Sequence, residues 1–403
     1  MNRLDELIQE LCPDGIESVK IGQIAREETQ RNKGQICNLA YSITKNGLVK
    51  TSEYFKDAKV TSEDTSAYKI VKKNWFVYSP SRIDVGSINY LRDQDQVIVS
   101  PMNVVFSVDE TLVLPSYLLL YLQSRRGSWA ILQKREGIEG MGRKLLPFDS
   151  FAKIPVPLPP LTIQQEIVRT LAIFTEHLGE LSAELSARKL QYEYYRNELL
   201  SFDNTVEWLP IETICKKIVS GGTPQSGNPD YYGGPIPWLR TQEVDWRDIY
   251  DTAEKITEAG FYNSSTKWIP ANCVIVAMYG ATAAKVAINR IPLTTNQACC
   301  NLIVDENKAL YRYVFHYLSK EYYSLKALGQ GSQNNINAQI IKQYKIPVPP
   351  IEVQKRIVDT LDSFDEICSD LNNGLPAEIE SRQKQYEFYR DKLLSFSNMK
   401  GDE

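Results

Sequence analysis

The chain lacks most of what enzymes place at their reactive centres. Only two histidines, His177 and His316, occur in 403 residues. Both stand in stretches with helical periodicity, so no Ser/His/Asp or Cys/His pairing is credible. There is no Walker A sequence and no glycine-rich strand-to-helix cofactor loop. Asn228-Pro229-Asp230-Tyr231 has the outline of the Asn-Pro-Pro-aromatic motif of amino-methyltransferases, but Asp230 stands where the second proline is required. Seven cysteines include no C-x-x-C pair, and no closely spaced Cys/His set accompanies them, so a structural zinc site is not expected. The adjacent Cys299-Cys300 cannot form an ordinary bridge without strain, which points to reduced thiols. The richest apolar stretch, 112–122, is interrupted by Pro115 and Ser116 and is too short to span a bilayer. Met1-Asn2-Arg3-Leu4-Asp5-Glu6 has no apolar core behind a basic start, so no signal peptide is expected, and the expected location is the cytoplasm.

What is present is a duplication. Gln191-Tyr192-Glu193-Tyr194-Tyr195-Arg196 continues to Leu199-Leu200-Ser201-Phe202, and Gln385-Tyr386-Glu387-Phe388-Tyr389-Arg390 continues to Leu393-Leu394-Ser395-Phe396. Each copy has a matching lead-in: Ile154-Pro155-Val156-Pro157 before Gln164 and Ile167-Val168, and Ile346-Pro347-Val348-Pro349 before Gln354 and Ile357-Val358. A fainter echo sets Glu17, Ile21 and Ile24 against Glu207, Ile211 and Ile214. Beyond the first lead-in, Ile163, Ile167, Leu171, Phe174, Leu178, Leu181 and Leu185 recur at three- and four-residue steps. They predict an amphipathic helix of roughly 40 residues and roughly 60 Å. The second copy repeats the pattern from Val353 to Leu371, then meets Asn372-Asn373-Gly374-Leu375-Pro376, a stop and restart. The two helices are expected to pack as an antiparallel coiled coil.

Five segments follow: a first head (1–153), a first helix (154–205), a second head (206–345), a second helix (346–397) broken near Gly374–Pro376, and a tail (398–403). The fold class is α/β (α+β), with two mixed heads joined by two long helices in an internal pseudo-twofold repeat. The heads read as short strands and turns, for example 74–78, Gln96–Val99 and Cys273–Ala277. Each closes with an apolar helical stretch, 117–132 and 311–328. Net charge is −4, but residues 14–153 carry +4 and residues 208–345 carry +3, while both helical segments are acidic. Positive heads on acidic helices fit DNA bound by the heads and protein bound by the helices.

Candidate DNA contacts lie in polar loops. In the first head these are Lys45 and Asn46 in a turn, Arg82 after Ser79-Pro80-Ser81, and Arg143 and Lys144, cations suited to phosphate. In the second head Gly221, Gly222 and Thr223 open a loop whose paired glycines would let backbone amides approach phosphate. Arg240 and Thr241, Tyr279, and Asn296 and Gln297 lie beyond predicted strand ends. Ser332, Asn334 and Asn337 belong to an amide-rich loop, and Asn and Gln side chains can read adenine edges. Any one of these could equally be a solvated loop residue. A stand-alone DNA methyltransferase or nuclease with duplicated recognition domains, and a coiled-coil adaptor that binds no DNA, stay open on the residues alone.

The duplicated Ile-Pro-Val-Pro lead-ins, the long helices, the Gln-Tyr-Glu-aromatic-Tyr-Arg endings and the Gly221-Gly222-Thr223-Pro224 opening together resemble the specificity subunit of type I restriction–modification enzymes. The resemblance covers essentially the whole chain. Gly374-Leu375-Pro376-Ala377-Glu378-Ile379 and Ser264-Ser265-Thr266-Lys267-Trp268-Ile269-Pro270-Ala271-Asn272 look like the type IC subgroup. It implies that each head is a target-recognition domain reading half of a bipartite, asymmetric DNA site. The helices would hold the heads apart and dock two methyltransferase subunits, with Tyr192, Tyr195, Arg196, Tyr386, Tyr389 and Arg390 as the contact residues. Those partners would bind S-adenosylmethionine and methylate adenine. Two restriction subunits, using ATP and Mg, would complete the assembly, and this chain would be its non-catalytic part. Leu178-Gly179-Glu180-Leu181 and Ser182-Ala183-Glu184-Leu185 look like one four-residue unit present twice, as in that subgroup, which suits a ruler.

Overall fold

A computed structural model of the protein describes residues 3–45, 47–55, 61–137, 144–203, 205–329, 335–369, 373–396 and 399–400. The chain divides into two compact units. One comprises Met1–Ser182 with Ile379–Glu403, and the other Ala183–Glu378. The division cuts through both helical segments, so each unit holds one head, the start of that head's own helix and the end of the other repeat's helix.

In the first unit a four-stranded antiparallel sheet runs in the order Ala25–Glu27, Val104–Val108, Phe76–Tyr78, Ile88–Tyr90. Its core is aromatic: Phe76, Tyr78, Phe106 and Phe151 are all fully buried, and Phe76 stacks on Phe106 at 4.8 Å. A hairpin, Tyr41–Thr44 with Gly47–Lys50, and the pair Lys69–Lys72 with Gln96–Val99 lie beside it. The second unit carries a five-stranded sheet in the order Cys215–Ser220, Cys299–Val304, Cys273–Ala277, Val286–Asn289, Asp248–Ile249. A second sheet orders Glu254–Ile256, Tyr232–Leu239, Leu293–Thr295, Trp268–Ile269. Cys273–Ala277 and Val286–Asn289 are buried at every residue, as continuous apolar runs in a covered sheet should be.

Both units are closed by the same bonds. Gln164, fully buried, accepts from Leu114 N at 2.8 Å and donates to Leu112 O and Pro159 O at 2.9 and 2.8 Å. Gln354 does the same with Leu310 N, Lys308 O and Pro349 O at 2.9, 3.3 and 2.8 Å. Tyr117 and Tyr313 donate their hydroxyls to Pro157 O and Pro347 O, each at 2.9 Å. This corrects the expected match of the lead-ins by two residues: Val156-Pro157, not Ile154-Pro155, takes the place of Ile346-Pro347. The faint echo falls on the same plan: Glu17 and Glu207 accept from Leu158 N and Val348 N, and Ile24 and Ile214 from Asp109 N and Asp305 N. Proline in the lead-in leaves carbonyls without a neighbouring amide to pair them, and these glutamines and tyrosines satisfy them.

The first long helix is Leu161–Leu199, 39 residues and so about 58 Å. The second copy forms two helices, Ile351–Ser369 and Leu375–Leu393. In the second unit the two copies pack antiparallel: Tyr195 stacks on Phe364 at 5.4 Å, while Arg188 and Lys189, two turns earlier, act electrostatically on Cys368 one turn later. In the first unit Phe174 meets Tyr389 at 5.3 Å.

Three local expectations are corrected. The strand expected over 74–78 begins only at Phe76, because Asn74 adopts φ 67° and turns the chain. The helical stretch 117–132 is two helices, Pro115–Gln123 and Arg125–Gln133. Ser124 breaks it by taking an extended conformation and accepting from Gly127 N, and any Cβ on Gly127 would lie 2.0 Å from Tyr121 O. The stretch 311–328 likewise divides into Tyr311–Lys320 and Tyr322–Ala327.

Candidate nucleic-acid interface

In the second head, strand pairing brings the candidate loops to one edge. Ser220 and Ala277 end their strands beside the start of Cys299–Val304, and Leu239 ends beside Thr295. Gly221 to Thr223, Arg240, Tyr279, Asn296 and Gln297 all follow directly from these ends. Cross-bonds tie the loops together: Gly222 N donates to Thr295 O at 2.9 Å, Asn296 N to Leu239 O at 2.9 Å, and Thr282 Oγ1 to Thr241 O at 2.8 Å. Thr223 Oγ1 donates to Gln297 Oε1. Gly280 N donates to Asn335 Oδ1 at 3.2 Å, so the end of the amide-rich segment joins the same group.

Within this edge the residues have different work. Gly222 is buried with its amide already donated, its carbonyl accepts from Trp238 Nε1 at 3.0 Å, and a Cβ there would lie 2.5 Å from the Ser265 backbone. At Gly221 a Cβ would lie 2.0 Å from Thr295 O. The paired glycines therefore let two loops close on each other; the expected approach to phosphate is not what demands them. Thr241 is buried, and Asn337 caps the helix Ala338–Gln343 by accepting from Ile340 N. Arg240 is paired to Glu254 and reaches Gln242. Among the described residues, Gln297, Gln242, Tyr279 and the capping Asn337 present exposed polar side chains at this edge. Gln242 belongs to the same strand-end triplet, Arg240-Thr241-Gln242, but was not among the candidate contact residues. Asn296 Oδ1 is buried without a hydrogen-bond partner among the described residues.

The first head presents an equivalent loop. Leu146 N donates to Pro80 O at 3.1 Å as Ile336 N does to Met278 O at 3.0 Å, so the turn holding Arg82 matches the turn holding Tyr279. Arg135, largely buried, bonds Asp84 at 2.7 Å, Ser81 O at 3.3 Å and Lys144 O at 2.9 Å. It thereby gathers Arg82 and Lys144, both exposed cations, while itself being consumed as scaffold. Lys45 is exposed at the tip of the separate hairpin, which meets Asn89 through Gly47. Asn46, Arg143, Ser332 and Asn334 lie outside the described residues.

The cysteines of the second head are not activated. Burial pushes the thiols of Cys215, Cys273 and Cys300 up to about 12, so they are neutral. Among the described residues no three His, Cys, Asp or Glu side chains are grouped to hold a metal ion, and no helix is long and apolar enough to cross a membrane.

The profile of the type I restriction modification DNA specificity domain matches residues 13–188 and again 205–381. The chain belongs to this family. It is 39% identical over 312 residues, 74% of each chain, to a type I restriction enzyme specificity subunit of Escherichia coli. It is 30% identical over 277 residues, 64% of this chain and 68% of the other, to a putative type I restriction enzyme specificity subunit of Haemophilus influenzae. Two solved structures share the fold. One is a chain from a type I restriction–modification system studied for complex assembly and conformational transition (TM-score 0.62, 16% identity, 96% and 99% covered). The other is the type I restriction–modification S subunit of M. genitalium (TM-score 0.54, 14% identity, 94% and 96% covered).

The helix endings of this specificity-family chain are built alike in both units. Tyr192 and Tyr386 turn inward, with Arg196 and Arg390 over their rings at 5.5 and 5.7 Å. Burial pushes the Tyr192 hydroxyl up to about 12, and it lies 3.3 Å from His316 Nδ1. Tyr195 and Tyr389 are about two-fifths exposed, and the neighbouring Tyr194 and Phe388 more than three-fifths. The last two were missed because the repeat motif drew attention to its invariant letters, and Tyr194/Phe388 is where the copies differ.

Proposed function

We infer that this chain is the DNA sequence-specificity subunit of a type I restriction–modification complex. The observation that carries this reading is the pair of heads held by matching bonds, Gln164 with Tyr117 and Gln354 with Tyr313, yet carrying unlike loop edges. A shared frame with dissimilar edges suits a bipartite, asymmetric target, one half read by residues 1–153 and the other by 206–345. In the second head Gln297, with Thr223 at its amide, and Gln242 and Tyr279 would face bases. In the first, Arg82, Lys144 and Lys45 would meet phosphate. The helices would set the spacer and dock two methyltransferase subunits through Tyr195, Tyr389, Tyr194 and Phe388. Catalysis would lie in those subunits, which would bind S-adenosylmethionine, and in two restriction subunits using ATP and Mg, all in the cytoplasm.

The test is co-purification with the methyltransferase of the same system, followed by base-resolved methylation mapping of exposed DNA. Adenine methylation at one split motif is expected. An active methyltransferase that neither binds the chain nor acquires a split motif from it would overturn the reading and favour the adaptor.

A further inference from the structure

The two units share their frame but not their charge. Counting from the shared glutamine and tyrosine bonds, Arg312 and His316 of the helix Tyr311–Lys320 occupy the places of Ser116 and Leu120 in the first unit. Counting from Gln164 and Gln354, Asp362 and Asp365 occupy the places of Ala172 and Thr175. The first unit therefore closes this contact without a charged side chain at any of the four positions. The second closes it with an ionic network.

That network is continuous and partly buried, fully so at His316 and mostly so at Arg312, while its carboxylates keep some access to solvent. Arg312 Nε lies 2.9 and 3.1 Å from the two Asp362 oxygens, Nη1 lies 3.1 Å from Asp248 Oδ1, and Nη2 lies 3.5 Å from Asp365. Fully buried His316 sets Nε2 2.6 Å from Asp362 Oδ1, and its Nδ1 faces the Tyr192 hydroxyl. Asp248, in the edge strand of the head's main sheet, also takes Arg290 Nε at 3.0 Å, and Arg290 Nη1 donates to Tyr311 OH at 2.8 Å. One set of groups thus spans the sheet of the head (Asp248, Arg290), the helix behind it (Arg312, His316), and both helices of the packed pair (Asp362 and Asp365 on one, Tyr192 on the other). Burial raises the Asp362 carboxyl, but the bonds from His316 and Arg312 outweigh it and hold the group below its ordinary range.

Apolar packing tolerates small slides and rotations. A bidentate guanidinium–carboxylate contact whose guanidinium is mostly buried does not, because displacement leaves charge unpaired. We propose that Arg312, His316, Asp362 and Asp365 are positioning residues that fix the second head on its helix pair, and so set how strictly the spacer length is read. This proposal rests on the specificity-subunit reading above. The groups touch neither the loop edge nor a base; they would act by holding the head that carries that edge.

The test transplants the first unit's solution. In the assembled methyltransferase complex, Arg312→Ser, His316→Leu, Asp362→Ala and Asp365→Thr are combined, which removes charges of both signs together. Initial methylation rates are measured on DNA with the native spacer and with spacers one base pair longer and shorter. Both half-sites should be read unchanged, while the preference for the native spacer falls about tenfold. A ratio between targets does not depend on how much complex is folded, so mere destabilisation would leave it unmoved. Unchanged preference would overturn the proposal. Where the combined variant fails to assemble, His316→Gln alone, which loosens the Asp362 and Tyr192 bonds, is measured the same way, and an unmoved ratio overturns it equally. Failure of the wild-type complex to methylate any split target would instead refute the function itself.

Discussion

Replacing Gln164 with alanine tests the physical reason for the repeat. Its side chain is fully buried and satisfies Leu114 N, Leu112 O and Pro159 O at once. Alanine leaves all three groups in the interior, at about 1–3 kcal/mol each when nothing replaces the bond. Water entering the vacated space recovers part of that, so the expected loss is about 3–5 kcal/mol. With a urea slope of about 2 kcal/mol/M, the midpoint of the first unit should fall by about 2 M. Gln354→Ala should cost slightly less, because its bond to Lys308 O is 3.3 Å where the equivalent is 2.9 Å. Urea unfolding followed by tyrosine and tryptophan fluorescence gives the midpoint. Amide exchange read by mass spectrometry locates the damage, which should open segment 112–122 for Gln164→Ala and spare 183–378. A midpoint shift below about 0.5 M, or lost protection in the other unit, would refute the reasoning.

Three further outcomes are expected. Inserting Ser-Ala-Glu-Leu after Leu185 adds roughly 6 Å of helix and should lengthen the unread spacer in the methylation motif while leaving both half-sites alone; altered half-sites with an unchanged spacer would contradict it. Gly222→Ala should destabilise the second head in urea with no specific loss of phosphate affinity, since its Cβ would meet the Ser265 backbone; normal stability with weakened DNA binding would reverse that assignment. Burial holds His316 below its ordinary value, with Arg312 opposing protonation and Asp362 and Asp365 favouring it, and Tyr192 facing the other ring nitrogen. The unfolded chain then binds the proton first, so the second unit should lose stability as pH falls from about 7.5 through about 6.5 toward the depressed value. His316→Gln should flatten that slope, and identical urea slopes in wild type and variant would refute it.

The frame was legible in the sequence because its bonds fall on unusual letters. Prolines in both lead-ins are residues that neither strand nor helix propensity would select; the glutamines that follow satisfy buried backbone groups, and the first tyrosines of the Gln-Tyr-Glu endings pack against the cores. The faint Glu17/Glu207 echo looked weaker because its shared contribution is a backbone carbonyl, which constrains the side chain little, whereas Ile24 and Ile214 add a buried side chain to the same kind of bond. The loop edge was only partly legible. Strand ends could be placed, so Gln297 and Tyr279 were found, but neither burial nor capping could: Thr241 is buried and Asn337, though exposed, is taken up in capping a helix, and both looked as available as their neighbours. Arg135 shows what the fold adds: its guanidinium is taken up by Asp84 and two carbonyls, which nothing in its sequence neighbourhood indicates. The ionic network could not be foreseen at all, because its members are separated by up to 173 positions and meet only through the fold.

The partition of the chain has a consequence for its synthesis. Residues 183–378 form an uninterrupted span, so the second unit has all its parts once that span has left the ribosome. The first unit does not: Tyr386, Leu393, Leu394 and Phe396 belong to its core. The head translated first is therefore finished last, waiting with an open apolar face through roughly two hundred further residues, a period of tens of seconds at about 5–20 residues per second. A nascent chain that stalls in its last turns would carry one completed unit and one unfinished head. Chaperones would meet the first unit, for a reason encoded in residues 379–396.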